Sequence, residues 1–240
     1  MDNPQRPSLA AFTVSPAIAA YNNGVTIASK QLLILGTGDF ALEVAALVSE
    51  VPGWTVAAFV ESLNRARCQE KLDSLPVLWV DDLGPLRETH WAIAALGTTL
   101  RAPFVERVRA LGLPFATLVH PRAHVSPRSV LGDGTLVSVA AVIAAHTELA
   151  HDVIVNRGAL IGHHTCIGPY CTIGPGANIA GSCHIGEGAF IGIGAVVIDH
   201  RTIGAHAVVA AGAVVLKDVP AHVMVIGSPA EIVRQNIPGY

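Results

Sequence analysis

The sequence predicts a fold in two parts, an α/β domain followed by a parallel β-helix. An aliphatic residue recurs at every sixth position through most of the C-terminal half, which is typical of a coiled repeat. Nearer the N-terminus, a strand, a glycine-rich turn and a helix follow one another, as in a phosphate-binding βαβ unit. A length of 240 residues accommodates one large domain or two small ones, so a division near the middle is expected.

The six-residue repeat fits neither the period of a helix nor the simple alternation of a strand. The residue after each aliphatic position is nearly always small, and so is the residue two before it. We interpret each repeat as a short strand that points one aliphatic side chain inward, followed by a tight corner that admits only small side chains or a positive φ. Three repeats then close one triangular coil, and successive coils stack as parallel strands. The aliphatic positions are Val119, Val125, Leu131, Val137, Ile143, Leu149, Val155, Ile161, Ile167, Ile173, Ile179, Ile185, Ile191, Val197, Ile203, Val209 and Val215.

The N-terminal half predicts a Rossmann-like nucleotide-binding domain. Its first strand ends in a glycine-rich turn, and a second strand, from Trp54 to Val60, ends beside an acidic residue that could reach a ribose hydroxyl. The unit has room for one mononucleotide-binding half, so NAD is disfavoured and a nucleotide sugar fits better. Tight packing of a strand against a helix is the alternative explanation of the glycines. The predicted substrate-binding residues are Gly36, Thr37, Gly38, Asp39, Phe40 and Glu61.

Composition excludes several classes of partner. The net charge is −3 and no basic cluster is present, which argues against nucleic acid. Although the mean hydropathy is +0.51, no run of apolar residues is long enough for a membrane span, so no membrane partner is expected. Four cysteines without a paired motif, and no evident secretory signal, favour a reduced cytoplasm. We assign residues 1–30 to an N-terminal extension without predicted structure.

A family resemblance rests on two segments. The stretch from Gly212 to Arg234, GAVVLKDVPAHVMVIGSPAEIVR, resembles the closing signature of the hexapeptide-repeat acyltransferases. The α/β domain that begins LILGTGDFALEV and continues directly into the repeats is similar to that of nucleotide-sugar N-acetyltransferases of the bacillosamine and perosamine pathways, and equally to that of sialic acid O-acetyltransferases. The resemblance implies a left-handed β-helix over residues 118–218, after a substrate domain over residues 31–117 and before a tail over residues 219–240. It also implies acetyl-CoA as co-substrate and no metal.

The resemblance places the catalytic base at His163. In the stretch NRGALIGHHTCIG, Asn-x-Gly-Ala is followed four residues later by a histidine, where the family carries its general base. The family often has Asp or Glu next, whereas this chain has His164, which we include as a second catalytic residue that orients or polarises His163. A carboxylate such as Asp152, from the same or a neighbouring subunit, is the alternative support. His146 precedes His164 by one coil, so the two are expected to stack.

The resemblance also implies a coenzyme A groove along the coils after His163. In the expected mechanism, the sugar amine attacks the thioester directly in a ternary complex, and the Gly181 N–H stabilises the oxyanion. Corner geometry alone would also favour glycine at such positions, and Lys217 could equally be a solvated cap of the last coil. We predict a homotrimer with shared active sites, because the nearly uncharged repeats need a partner. The predicted coenzyme A residues are Thr172, Gly174, Gly181, Ile193, Gly194 and Lys217.

Three other functions remain open at this stage. The first is O-acetylation of a sialic acid or another sugar hydroxyl, which the same family resemblance allows. The second is a γ-carbonic-anhydrase-like metal site, in which His146 and His151 would be two zinc ligands. The third is a nucleotide-binding scaffold without catalysis, suggested by the missing acidic residue after His163.

Overall fold

The computed structural model describes residues 29–240, so nearly all of the predicted N-terminal extension lies outside the described residues. The N-terminal domain forms one sheet with a helix on each side. The sheet has the order β3-β4-β2-β1-β5, in which only β3 runs antiparallel to its neighbour. Its elements are β1 (Lys30–Leu35), α1 (Asp39–Ser49), β2 (Trp54–Glu61), β3 (Lys71–Leu72), β4 (Leu75–Trp79), β5 (His90–Ala94) and α2 (Ala102–Ala110).

Strand β1 is covered on both faces, which explains its unbroken apolar run. Leu32 and Ile34 pack in the cluster that contains α1, whereas Leu33 and Leu35 pack in the cluster that contains α2. The chain leaves β1 towards β2 on one side and adds β5 on the other side. The carboxyl ends of β1 and β5 therefore border a topological switch point, where open α/β sheets bind ligands.

The C-terminal half is a parallel β-helix of triangular cross-section, and the predicted aliphatic residues are the second residues of strands β6 to β22. We number its three faces in chain order. The first face contains β6 (Leu118–Val119), β9 (Leu136–Val137), β12 (Ile154–Val155), β15 (Thr172–Ile173), β18 (Phe190–Ile191), β21 (Val208–Val209), β23 (Val223–Ile226) and β24 (Glu231–Gln235). The second contains β7 (His124–Val125), β10 (Val142–Ile143), β13 (Leu160–Ile161), β16 (Asn178–Ile179), β19 (Val196–Val197) and β22 (Val214–Val215). The third contains β8 (Val130–Leu131), β11 (Glu148–Leu149), β14 (Cys166–Ile167), β17 (His184–Ile185) and β20 (Thr202–Ile203).

At each corner of the β-helix, the small side chain and the positive φ belong to two different residues. The residue after each inward aliphatic is small because a side chain would strike the next coil: a Cβ on Gly162 would lie 2.5 Å from the carbonyl carbon of Ala180. The positive φ falls two residues later, at 58° for His164 and 59° for His146. Asn, Asp and His tolerate this conformation better than most residues. The prediction of small side chains at the corners is confirmed, and the positive φ belongs to a later residue of each corner.

The N-terminal domain lies on the first face and on both of its bordering corners. Arg101, which is 2% exposed, donates to the Thr172 hydroxyl (2.9 Å) and to the carbonyl oxygens of Asp152 (2.6 Å) and Cys171 (2.9 Å). Where the third face meets the first, Arg109 on α2 pairs with the Asp152 carboxylate at 2.6 Å. At the corner between the first and second faces, Glu43 on α1 pairs with Arg157 at 2.7 Å.

The end of the chain returns to the N-terminal domain. After β24, the ring of Tyr240 stacks on Phe190 with centroids 3.8 Å apart. The Thr99 N–H donates to the Tyr240 carbonyl at 2.9 Å, in the segment that follows β5. These contacts join the later coils to the N-terminal domain. Within residues 29–240, no helix is long and apolar enough to cross a membrane.

Candidate active site

The predicted base lies on the corner between the second and third faces, which we call the second–third corner. His163 is exposed, and its ring lies against the next coil at Gly181. A Cβ on Gly181 would be only 2.7 Å from Cε1 of His163, so a side chain there would displace the ring. The Gly181 N–H donates no backbone hydrogen bond within the described residues. This free donor beside an imidazole is the arrangement that an oxyanion site requires.

Three imidazoles meet at this corner. Nδ1 of His163 lies 3.0 Å from Nδ1 of His164, and the two rings are nearly perpendicular, at 85°. His164 in turn stacks on His146, one coil earlier, with centroids 4.8 Å apart and 29° between the planes. The predicted stacking of His146 and His164 is confirmed.

Asp152 does not support His163. Its carboxylate lies on the corner between the third and first faces, which we call the third–first corner, and its side chain is fully buried. It accepts from Arg109 at 2.6 Å and lies 2.9 Å from Nδ1 of His151. A carboxylate on a different corner of the triangle does not reach the base of its own chain, so support from Asp152 of the same subunit was wrong.

The residues predicted to bind coenzyme A occupy different positions. Gly181 borders the second face at one edge, whereas Ile193 and Gly194 border it at the other, and Ile193 is 60% exposed. Gly174 is buried on that latter corner, and Lys217 is exposed just after β22. Thr172 is 2% exposed and bonded to Arg101, so its prediction as a groove residue was wrong. The exposed Leu160 and Val196 lie on the face between the two edges.

A cavity of about 370 Å³ opens at the carboxyl end of the sheet in the N-terminal domain. Gly36, Thr37, Gly38 and Glu61 line it, as predicted, together with residues 62–64, Arg67, Leu96 and Phe104. Asp39 and Phe40 begin α1 and do not line the cavity, so their prediction as substrate-binding residues is not supported.

Glu61 shapes the rim of this cavity. Its Oε2 accepts from the Thr37 hydroxyl at 2.6 Å, and its Oε1 accepts from the N–H groups of Ser62 and Leu63, each at 2.8 Å. Burial by itself raises the pKa of Glu61, but these hydrogen bonds outweigh it and leave the pKa below its usual value. Both oxygens are occupied within the protein, so Glu61 organises the loop rather than presenting a free carboxylate to a ribose.

Arg67 is a cavity residue that the sequence motifs missed. Its Nη2 donates to the Thr37 carbonyl at 3.0 Å, and its side chain is 46% exposed, so a positive charge stands beside the glycine-rich turn. It lies in a short 3₁₀ segment, Arg65–Gln69, between two strands. No repeat or motif passes through this segment, and only its basic character could have identified it.

The structure separates the two histidines of the metal-site interpretation. His146 lies on the second–third corner, whereas His151 lies on the third–first corner, so the two cannot share one ion in a single chain. Among the described residues, no group of three or more His, Cys, Asp or Glu side chains is arranged to hold a metal.

Comparisons with known proteins agree with this architecture. The family model "Bacterial transferase hexapeptide (six repeats)" matches residues 182–217. PerB from Caulobacter crescentus, solved with CoA and GDP-perosamine, is 35% identical with a TM-score of 0.79, over 88% of this chain and all of PerB. The acetyltransferase domain of PglB from Neisseria gonorrhoeae, solved with acetyl coenzyme A, is 31% identical with a TM-score of 0.79, over 85% of this chain and all of that domain. Comparison with curated protein sequences finds no match.

A third solved structure, WeeI from Acinetobacter baumannii, is 26% identical with a TM-score of 0.73, over 85% of this chain and all of WeeI. Fold, site and comparisons define a left-handed β-helix acyltransferase, which confirms the predicted fold and enzyme class and excludes the non-catalytic scaffold. The chain belongs to the hexapeptide-repeat family of nucleotide-sugar acetyltransferases.

Proposed function

We propose that the protein transfers an acetyl group from acetyl-CoA to the amine of a nucleotide-linked amino sugar, with His163 as the general base. The observation that carries this proposal is the exposed His163 ring lying against Gly181, whose N–H is free. The related PerB has been solved with CoA and GDP-perosamine, and the related PglB domain with acetyl coenzyme A.

The active site is shared between subunits of a homotrimer. The N-terminal domain, with its cavity, covers the first face and its two bordering corners, whereas His163 lies on the remaining corner of the triangle. One chain therefore cannot bring its own cavity to its own base. The exposed Leu160, Ile193 and Val196, on the second face and its edge, supply an apolar surface that a neighbouring β-helix would cover.

The chemistry needs no acyl-enzyme. The sugar nitrogen attacks the thioester carbon, Nε2 of His163 takes the proton of the nitrogen, and the Gly181 N–H stabilises the oxyanion. The C–S bond then breaks, and the thiolate takes the proton from His163. Cys183, which follows this corner one coil later, is buried, and burial raises its pKa, so it is a poor nucleophile.

An amine acceptor suits this site better than a hydroxyl. A neutral amine attacks through its lone pair and becomes acidic only once the C–N bond forms, whereas a sugar hydroxyl must lose its proton as it attacks and needs a stronger base, usually one supported by a carboxylate. His163 has an imidazole beside it instead. O-acetylation remains the second candidate, and the assay below separates the two.

Release of free thiol from acetyl-CoA should be measured across UDP-, GDP-, dTDP- and CMP-linked sugars, each with an amine and with a hydroxyl at the same carbon. We expect turnover with amino sugars of one nucleotide class and little with their hydroxyl counterparts. Turnover of hydroxyl sugars alone would contradict N-acetylation.

A mixing experiment tests the shared site. A His163→Ala chain and a chain whose cavity is blocked by Gly36→Val should each be inactive, since Gly36 has a φ of 124° and closely approaches Ala95. Trimers reassembled from both chains should regain activity, because some interfaces join an intact base to an intact cavity. No regain in verified mixed trimers would contradict sharing.

A further inference from the structure

The base His163 is held by another imidazole, and this contact has a consequence that a carboxylate partner would not have. The two Nδ1 atoms are 3.0 Å apart, so one must carry a hydrogen and the other must accept it. A carboxylate can only accept, which fixes the hydrogen on Nδ1 of its histidine and leaves Nε2 free. An imidazole can accept or donate, so the pair has two neutral arrangements.

Only one of these arrangements is competent for catalysis. When His163 donates from Nδ1, its Nε2 bears a lone pair and can take a proton from the acceptor amine. When His164 donates instead, Nε2 of His163 is protonated and cannot act as a base. The hydrogen bond itself is the same in both cases, so it does not select between them.

We propose that His164 is a positioning residue whose tautomer is selected by the bound acceptor, and that His146 holds its ring in place. An amine N–H pointing at Nε2 of His163 favours the arrangement in which His163 donates from Nδ1 to His164. The acceptor thereby creates the base that deprotonates it. This inference rests on the proposed function and deepens it, because it names how the base is regulated.

His146 fixes the plane of His164. The two rings stack at 4.8 Å, which limits the rotation that would carry Nδ1 of His164 away from His163. Both residues hold the positive φ of their corners, so their side chains leave the backbone in the same direction on successive coils. Stacking is therefore built into the repeat.

The charges around the pair are few. On the coil before His164 lies His146, and on the coil after it lies Ser182. One coil further on are Asp199 and His200, whose closest side-chain atoms are 3.7 Å apart. Arg128 lies one coil before His146. Within the described residues, no carboxylate forms a hydrogen bond or an ion pair with His163 or His164. Protonating both members of the pair would place two donors face to face and break the hydrogen bond.

The tautomers can be read directly by ¹⁵N–¹H correlation spectra of the full-length protein labelled at histidine. Without acceptor, we expect His163 to show a mixture of Nδ1–H and Nε2–H forms. With a saturating amino sugar and CoA, we expect the Nδ1–H form. An unchanged Nε2–H form in the complex would overturn the proposal, even if His163→Ala had already established the base.

Kinetics give an independent test. His164→Ala should lower kcat by about tenfold or more with little change in KM, whereas His164→Asp should retain activity. Because a carboxylate favours the charged imidazole, His164→Asp should also move the acid limb of the pH profile of kcat/KM to higher pH. His146→Ala should lower kcat by about two- to fivefold, and His146→Phe, which preserves the stack, should not.

His200→Ala is the matched control. His200 is an exposed corner histidine with a φ of 58°, equal to that of His164, so the alanine variants share the same backbone strain. If His164→Ala and His200→Ala lose activity equally, the effect is structural and the proposal fails. A fully active His163→Ala would instead refute the proposed base, which keeps the two failures distinguishable.

Discussion

Two of the histidine-bearing corners of the β-helix differ in what surrounds their imidazoles. On the second–third corner, the exposed His163 touches another imidazole and a glycine. On the third–first corner, His151 lies 2.9 Å from the Asp152 carboxylate and stands edge-on to the Tyr170 ring. By residue type alone, the His151–Asp152 pair looks more like an acid–base dyad. The family motif nevertheless falls on the other corner.

The difference is explained by what each carboxylate or imidazole already binds. Asp152 is paired with Arg109 and fully buried, and Tyr170 donates to Glu106 on α2. Burial and the Glu106 hydrogen bond raise the pKa of Tyr170. The third–first corner therefore attaches the N-terminal domain, whereas the second–third corner keeps free donors and exposed rings. His151 therefore stands beside a carboxylate whose Oδ2 already pairs with Arg109 at a contact with the N-terminal domain.

The largest expected effect is a loss of kcat when the histidine of the second–third corner is replaced, but not when that of the third–first corner is replaced. His163→Ala should lower kcat by about 10² to 10⁴-fold, since it removes the general base, while calorimetry should show coenzyme A binding nearly unchanged. The control is His151→Ala, which should retain kcat. An inactive His151→Ala beside an active His163→Ala would reverse the comparison.

The next effect concerns stability at the third–first corner. Arg101→Met should lower the free energy of unfolding by about 3 kcal/mol, because it leaves the buried Asp152 carbonyl without a donor and removes one of the two hydrogen bonds to the Cys171 carbonyl. Burial lowers the pKa of Arg101 to about 10, so the guanidinium remains charged at neutral pH. Urea unfolding measures the change. The exposed Arg65→Met is the control and should shift stability by less than about 0.5 kcal/mol.

A smaller rate effect sharpens the role of glycine on the second–third corner. Gly181→Ala would place a Cβ 2.7 Å from Cε1 of His163, so the ring must move. Because small misplacements of a base are costly, kcat should fall by about 10- to 100-fold. At Gly176 nothing lies within 4 Å of an added Cβ, so Gly176→Ala should cost only the strain of its φ of 64°. Equal losses in the two variants would contradict a specific contact with His163.

The smallest effect concerns Glu61, whose two carboxylate oxygens both accept hydrogen bonds within the protein. The pKa of Glu61 is lowered in the folded state, so its stabilisation is present above its usual value near 4.5 and is lost as pH falls through the folded value. Glu61→Gln should therefore cost about 1 kcal/mol of unfolding free energy at pH 7, and the difference from the wild type should vanish towards pH 3. A difference that is independent of pH would show that the charge of Glu61 is not involved.

The six-residue period alone predicts which residues of the β-helix are neighbours. Because the coil closes after three hexapeptides, residues one coil apart must be neighbours, and the contact between His146 and His164 could be predicted without coordinates. The inward aliphatic residues and the strands of the β-helix follow from the same periodicity. The glycine-rich turn likewise identified the cavity of the N-terminal domain, through Gly36, Thr37 and Gly38.

The remaining features depend on how the N-terminal domain packs on the β-helix, which only the three-dimensional structure shows. The six-residue period does not predict which face the α/β domain covers, because all three faces carry the same repeat. Docking through Arg101 and Arg109 turned Thr172 from a predicted groove residue into a domain contact and buried Asp152. It also left the corner of His163 as the one that the N-terminal domain does not cover. Local periodicity fixes neighbours within the helix, whereas contacts between residues far apart in sequence require the packed molecule.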